Sequence, residues 1–268
     1  MILTNLHTHT TYSDGKNSLE EYINKAIELG FDSIGFSEHA QCGYDIDCKE
    51  LARDEQVSYF NLLDELNEKH ENIDIFKGLE LDSLNGEYKG NPDYTIGSVH
   101  CLLIENKIYF LDYNAERLKE IISVCGGIKP FITKYYQELL NFAKNVDYDI
   151  VGHLDLYTKF NEKEPIFNIN EKWYKDIIYN VIEELNKLDK IIEINTGAIA
   201  RGYRSSPYPD LNTIKTLKQL DSKIIVGSDA HTINGLNCFF SEVENILKSL
   251  DIKNIYKFTK NGFIETSL

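Results

Sequence analysis

Seven short apolar runs recur along the chain, and each is followed at once by a histidine, a carboxylate or an amide. They read "ILTNLHTH", "FDSIGFSEH", "IDIFKGLEL", "YTIGSVH", "YDIVGHLD", "KIIEINTG" and "SKIIVGSDAH". Between most of them lie stretches of helical periodicity, at 18–29, 54–70, 115–124, 131–145, 171–188, 210–220 and 240–250. The first of these carries Ser18 and Glu21 at capping-box spacing and ends at Gly30, and the sixth opens with Pro209-Asp210. Alternating strands and helices require parallel strands joined by right-handed crossovers, and seven or eight such units close most naturally into a barrel. Only the connection "LDSLNGEYKGNPD", between the third and fourth runs, lacks a helical pattern. No Pro/Gly/Ser-rich linker divides the 268 residues, so residues 1–268 are expected to form a single α/β domain, TIM-barrel-like in architecture.

In such a barrel the carboxyl-terminal ends of the strands carry the chemistry. Six of the seven histidines fall there, together with Glu80 and Asp229; His70, in "NEKHENID", does not. Residues i and i+2 of a strand face the same side, so His7 and His9 can offer two imidazoles to one cation, and the spacing recurs in Asp229 and His231. Imidazole nitrogen and carboxylate oxygen are ligands for zinc, manganese and iron alike. Taken singly, His39, His100 and His153 read as histidines satisfied by a carbonyl, Glu80 as a solvated strand end and Asp14 as a turn residue before Gly15. All of those readings would have to hold together on one barrel face, where uncompensated polar groups are costly. A shared metal site is the simpler account.

The formal charge of −15 excludes a general nucleic-acid-binding surface, which needs clustered Lys and Arg. The amino terminus lacks the basic and apolar regions of a signal peptide, and no apolar run approaches membrane-spanning length, so the expectation is a cytoplasmic protein. Five cysteines, Cys42, Cys48, Cys101, Cys125 and Cys238, contain no CxxC pair and are read as free thiols. Cys101 follows His100 and so points to the opposite face, as a buried structural thiol.

In order along the chain, HxH with a following Asp, SEH, GxE, SxH, GHxD and GSDAH resemble the PHP (polymerase and histidinol phosphatase) family, over residues 5–231. The resemblance implies a distorted (β/α)7 barrel with two or three divalent ions, Zn, Mn or Fe, at the carboxyl-terminal face of its strands. On the matching positions it implies one ion held by His7, His9, Glu80 and Asp229. A second would be held by Glu80, His100 and His153, and a third by Asp14, His39 and His231. Within the family, "YDIVGHLDLYTKFN" and "EINTGAIARGYRSSPYP" resemble the histidinol-phosphate phosphatases. That implies hydrolysis of L-histidinol phosphate, a step of histidine biosynthesis, by attack of a metal-bridging hydroxide on phosphorus.

Divalent ions outweigh the ligating carboxylates Asp14, Glu80 and Asp229, so an acidic chain can still hold a phosphate dianion. Of the four arginines, Arg201 in "NTGAIARGYR" is placed to grip phosphate through two parallel hydrogen bonds; Arg204 is a weaker candidate, and Arg117 reads as a solvated helix residue. Asn195 is a candidate substrate contact or a turn-shaping residue, and Asp155 is a candidate to orient His153 or a member of a core salt bridge. Asp229 or His231 would assist proton transfer to the leaving group. Two alternatives stay open: a nuclease or nucleotide phosphoesterase using the same cluster, and a non-catalytic metal-stabilised binding module.

Overall fold

Parallel pairing joins seven strands in the order β1 (Thr4–Asn5), β2 (Ser33–His39), β3 (Asp74–Asp82), β4 (Tyr94–Ser98), β7 (Ile150–Val151), β8 (Ile191–Asn195) and β9 (Ile224–Gly227). The structure, a computed structural model, describes residues 1–44 and 49–268; Cys48 lies outside the described residues. The sheet nearly closes into a barrel. A parallel bridge joins Thr8 to Ala230, with His9 N–H donating to Ala230 O (2.9 Å) and Ala230 N–H to His7 O (3.2 Å). Among the described residues no helix is long and apolar enough to cross a membrane, and Cys42, Cys101, Cys125 and Cys238 are free thiols.

The helices surround the sheet: α1 (Leu19–Glu28), α2 (Gln56–Lys69), α3 (Ala115–Val124), α4 (Ile128–Asn145), α5 (Lys172–Lys187), α6 (Gly197–Ala200), α7 (Leu211–Gln219) and α8 (Phe240–Ser249). Ser18 and Glu21 form the expected capping box, and Asp210 caps α7 by accepting from Asn212 N–H (2.8 Å). Helix α4 begins three residues before the periodicity suggests, because Pro130 sits in its first turn, where a missing N–H breaks no helical bond. The connection from β3 to β4 is free of helix, as its composition suggests.

Two layers of apolar packing result. Outside the sheet, buried faces of the helices (Tyr22 and Ile23 of α1, Leu63 of α2, Leu139 of α4) meet outward-facing strand residues. Inside, Leu6, Phe76, Tyr94, Ile96, Ile150, Ile191 and Ile225 fill the amino-terminal end of the barrel. The Tyr94 ring fits there because Gly78 has no side chain: a Cβ at that position would lie 2.3 Å from Tyr94 Cζ. Overpacking of that kind costs on the order of 1–3 kcal/mol even where neighbours can give way.

Two hairpins are additions that the strand–helix alternation does not announce. Strands β5 (Cys101–Ile104) and β6 (Lys107–Phe110) pair antiparallel across Glu105 and Asn106, both at positive φ, a two-residue turn whose twist matches the strands. Strands β10 (Asn254–Thr259) and β11 (Gly262–Ser267) form the second, which presses Tyr256, Phe258 and Phe263 onto the inner layer and closes the amino-terminal end. With that end sealed, the opposite end of the strands is the accessible one.

Candidate metal centre

Each barrel strand delivers its polar residue at or just past its carboxyl end. His39 ends β2, Glu80 lies near the end of β3, His100 follows β4, His153 follows β7, and Asp229 and His231 follow β9. Strand β1 is shorter than the alternation suggests, ending at Asn5. His7 and His9 nevertheless reach the same cluster, because the segment runs on alongside β9 through the Thr8–Ala230 bridge. Their ring centroids are 5.3 Å apart.

Glu80 is the centre of the arrangement and is 1% exposed. Its Oε2 lies 3.4 Å from His7 Nε2, 3.4 Å from His9 Nε2 and 3.0 Å from His39 Nδ1. Its Oε1 lies 3.3 Å from His100 Nε2 and 3.0 Å from His153 Nε2, and accepts from Ser98 Oγ at 2.6 Å. Asp229 Oδ1 lies 3.3 Å from His9 Nε2, 3.7 Å from His7 Nε2 and 3.5 Å from His231 Nδ1. Asp14 faces His39 Nε2 (3.7 Å) and His231 Nε2 (3.2 Å), and the His9 ring is stacked between those of His39 and His231 at 4.3 and 4.4 Å. All nine candidate ligands are therefore brought together.

Do they fit metal ions? Two ligands each about 2.1 Å from a shared ion sit roughly 3.0–3.4 Å apart, and the donor pairs here lie at 3.0 to 3.7 Å. Several buried donor atoms, His7 Nε2, His9 Nε2, Asp14 Oδ1 and Glu80 Oε2 among them, have no hydrogen-bond partner among the described residues, a costly state for a polar atom unless something charged binds it. The donors converge in groups: His9, Asp14, His39 and His231; His7, His153 and Asp229; His7, His9 and Glu80; His39, Glu80 and His100. The residues fit divalent metals. These overlapping groups do not reproduce the expected allocation one for one: His9 also falls with Asp14, His39 with Glu80 and His100, and His153 with His7 and Asp229.

The surrounding residues hold the ligands in place. Glu193 Oε1 accepts from His7 Nδ1 (2.8 Å), and its Oε2 accepts from His153 N–H (3.0 Å) and Asn195 Nδ2 (2.9 Å). Asp82 Oδ2 accepts from His100 Nδ1 at 3.2 Å. A carboxylate on the far nitrogen fixes the tautomer and orientation of a ligating imidazole. Neither residue stood out in the sequence, yet a signal was present: Glu193 is a carboxylate inside the apolar run "KIIEIN", and Asp82 has the same i, i+2 relation to Glu80 that His9 has to His7.

Electrostatics follow the geometry. Burial alone would lower the pKa of His7, His39 and His100, but the facing carboxylates outweigh it, Glu193 for His7 and Glu80 for all three, and raise them above 6.5. His9, buried and beside His39 and His231, is pushed down to about 3 and stays neutral. Glu80 and Asp229 are held well below the usual carboxylate range: although burial opposes it, His7 dominates for Glu80 and Arg201 for Asp229. In the metal-free protein, protons thus stand in for metal charge. A histidine whose folded pKa lies above its unfolded 6.5 adds stability that is present in full below pH 6.5 and is lost as pH rises through the raised value. The chelator-treated protein is therefore expected to lose thermal stability as pH is raised above 6.5, and the metal-loaded protein to lose much less. Melting curves at several pH values, with and without chelator, measure this; a stripped protein whose Tm is flat or rising above pH 6.5 would contradict it.

The cluster lies in an open pocket of ≈ 970 Å³. Arg201, carried past β8 by the short α6, lines it and donates from Nη2 to Asp229 Oδ2 (2.8 Å), with Nη1 3.2 Å from Asp229 O and 3.0 Å from His231 Nδ1. Lys159 is a second lining cation, 7% exposed, donating to Asp112 O (2.9 Å) and Oδ2 (3.1 Å), with its ammonium 4.7 Å from the centre of the Tyr203 ring. It sits in the loop after β7, in "GHLDLYTKFN", where the reasoning that picked out Arg201 applies equally to a lysine. The facing wall comes from the β5–β6 hairpin and the start of α3, with Asp112, Tyr113, Glu116 and Glu120.

Three candidates are not brought to the reacting region. Arg204 is buried, with its guanidinium spent on Thr158 Oγ1, Ser206 O and Oγ and Pro207 O, over the Tyr208 ring; it holds its own loop together rather than lining the pocket. Asn195 accepts from Gly197 N–H (2.8 Å) and donates to Glu193, which makes it the turn-shaping residue. Asp155 faces Arg204 and a group of buried tyrosines instead of pairing with His153, whose Nε2 points to Glu80; burial pushes its carboxyl up to about 7. Arg117 pairs with Glu120 at the pocket rim.

A nearly closed barrel of parallel strands with clustered imidazole and carboxylate donors at its carboxyl-terminal mouth defines a metal-site (β/α)7 barrel. The chain belongs to the PHP domain family, whose model matches residues 5–197. It is 28% identical over 250 residues to the histidinol-phosphatase of Bacillus subtilis, covering 84% of this chain and 92% of that one. A solved histidinol phosphate phosphatase from Lactococcus lactis, in complex with zinc, L-histidinol and phosphate, superposes with a TM-score of 0.72 at 19% identity, over 97% of this chain and 98% of that one. The DNA polymerase/3'-5' exonuclease PolX of Bacillus subtilis is 23% identical over 96% of this chain, which corresponds to 41% of its length.

Proposed function

We propose that residues 1–268 form one phosphomonoesterase domain that binds two or three divalent ions, Zn, Mn or Fe, and hydrolyses L-histidinol phosphate to L-histidinol and phosphate in the cytoplasm, as a step of histidine biosynthesis. The observation that carries this reading is the lining of the pocket: the clustered metal donors share it with Arg201 and Lys159, and carboxylates Asp112, Glu116 and Glu120 add a wall from the hairpin and α3. Bound divalent ions would neutralise phosphate charge and activate a water as nucleophile. The chain's own residues do the rest. Arg201 has N–H groups at Nε and Nη2 beyond those bonded to Asp229 and His231 to offer phosphoryl oxygens, and Lys159, paired with Asp112, adds a positive charge to the same pocket. Glu116 offers a carboxylate to the ammonium and imidazole of the substrate, while Asp112 is paired with Lys159 and Glu120 with Arg117. Asp229 and His231, both lining the pocket beside Arg201, are the two candidates to assist proton transfer to the leaving alkoxide. Asp229 is held ionised by Arg201 and is the poorer donor.

The similarity to PolX keeps a nuclease reading in view. Against it stand the net charge of −15 and the acidic wall, both of which repel a polyanion. A panel of L-histidinol phosphate, AMP and a short oligonucleotide, assayed for phosphate or nucleotide release by metal-loaded protein, decides the question. The expected result is turnover of histidinol phosphate at a kcat/KM at least about 10²-fold above the other two, roughly 2.7 kcal/mol of discrimination. Preferential cleavage of the oligonucleotide would favour the nuclease, and metal retention with no turnover of any of the three would favour a binding module.

A further inference from the structure

Glu38 is fully buried next to a ligand position, and its hydrogen-bond partners are amides and hydroxyls, with no ion pair to it among the described residues. Neighbouring strand residues face opposite sides, so while His39 turns into the cluster, Glu38 turns out toward α2 and the 10–17 loop. Its carboxylate there accepts from five donors. They are Thr10 N–H (3.1 Å to Oε1, 3.0 Å to Oε2), Thr10 Oγ1 (2.6 Å), Ser13 N–H (3.1 Å), Ser13 Oγ and Tyr59 Oη (2.9 Å). A buried carboxylate is costly, and only a full set of hydrogen bonds makes it tolerable. An apolar side chain would serve packing between β2 and α2 at lower cost, so the charge is there for the loop.

That loop carries Asp14. Thr10 and Ser13, the residues gripped by Glu38, bracket the turn that starts just after His9 and ends at Asp14. Beyond Asp14, Gly15 N–H bonds back to Thr10 O (3.0 Å), and Lys16 N–H bonds to His231 O (2.8 Å). The Tyr12 ring packs on Tyr59 at 4.8 Å, so the same α2 residue that bonds Glu38 also seats the loop. Strand β2 therefore addresses one donor group, His9, Asp14, His39 and His231, from two directions: directly through His39, and through Glu38 by way of the loop.

We infer that Glu38 is a positioning residue which sets the affinity of the metal ion held by Asp14, His39 and His231, leaving the other ion or ions unaffected. The inference rests on the metal occupancy proposed above, and its test reads metal and backbone protection instead of turnover. Failure to hydrolyse histidinol phosphate would therefore sink the substrate assignment alone. The experiment compares the parent, Glu38→Gln, Asp14→Ala and the double variant, each dialysed against buffered free Zn²⁺ and analysed for bound metal, with hydrogen exchange followed in parallel. Glu38→Gln is expected to bind one ion fewer than the parent at free Zn²⁺ concentrations that saturate the parent, with an affinity at that site about 10–100-fold weaker. Thr10 and Ser13 amides should lose protection while the strands β2, β3 and β8 keep theirs, and Asp14→Ala should remove no further ion from the Glu38→Gln background.

If Glu38→Gln folds poorly, the pair Thr10→Val and Ser13→Ala removes two of the five donors and leaves the carboxylate in place. It should show the same selective loss to a smaller degree. Unchanged zinc stoichiometry and affinity in Glu38→Gln, equal weakening at every site with global loss of protection, or an additional ion lost in the double variant would each overturn the inference.

Discussion

Glu80→Gln is expected to reduce kcat/KM for histidinol phosphate by at least about three orders of magnitude, roughly 4 kcal/mol, and to lower bound metal in the same protein. The size follows from position. Five imidazoles lie within 3.4 Å of the two Glu80 oxygens, so removing one charge alters several donor groups together. The amide keeps the shape of the side chain and can still accept from Ser98 Oγ, which separates loss of charge from loss of packing. It can also put an N–H where the carboxylate offered a lone pair, and a buried site has no water to repair that mismatch. Metal analysis, circular dichroism and turnover on the same preparation give the answer; a folded variant with full metal content and near-parent activity would remove Glu80 from the centre of the site.

The second large effect is at Arg201. Arg201→Ala is expected to lower kcat/KM by on the order of 10²–10³, the size of loss typical when one preorganised donor to a developing oxyanion is removed. Arg201→Lys should recover only part of that, because an ammonium replaces a two-pronged planar donor by a point charge. Bound metal should change less than in Glu80→Gln, since Arg201 reaches the cluster only at its edge, through Asp229 Oδ2 and O and His231 Nδ1. Full activity in Arg201→Lys would show that charge suffices there and that Lys159 nearby supplies the rest; full activity in Arg201→Ala would make it a surface residue of its loop.

Much of the molecule is legible in the chain because its periods are local. The helices begin and end close to the expected positions where a cap or a glycine marks them, as at Ser18 and Asp210. The seven barrel strands follow from apolar runs of the right length. The β5–β6 hairpin is less visible, since "CLLIENKIYF" directly continues the fourth run and its turn, Glu105-Asn106, lacks the glycine that usually marks such a turn. The closing hairpin β10–β11 mixes apolar and polar residues with little net periodicity and gains its place by covering the barrel's inner layer.

For the site the division is similar. The residue types and their strand-end positions were in the sequence, and they determined that imidazoles and carboxylates would meet on one face. Which donors share an ion, and which charges serve the fold instead of the substrate, depended on side-chain direction: His9 is wedged between two rings, Arg204 is turned into its own loop, and Asp155 is turned away from His153. Glu38, Glu193 and Lys159 gain their meaning from partners 21 to 186 residues away. The sequence by itself determined the strand–helix order and the chemistry available at the barrel mouth, because hydrophobic period and strand alternation act over a few residues. The tertiary structure alone decided the partnerships, because a buried charge takes its role from the atoms that compensate it, and those come together only when distant strands close into the barrel.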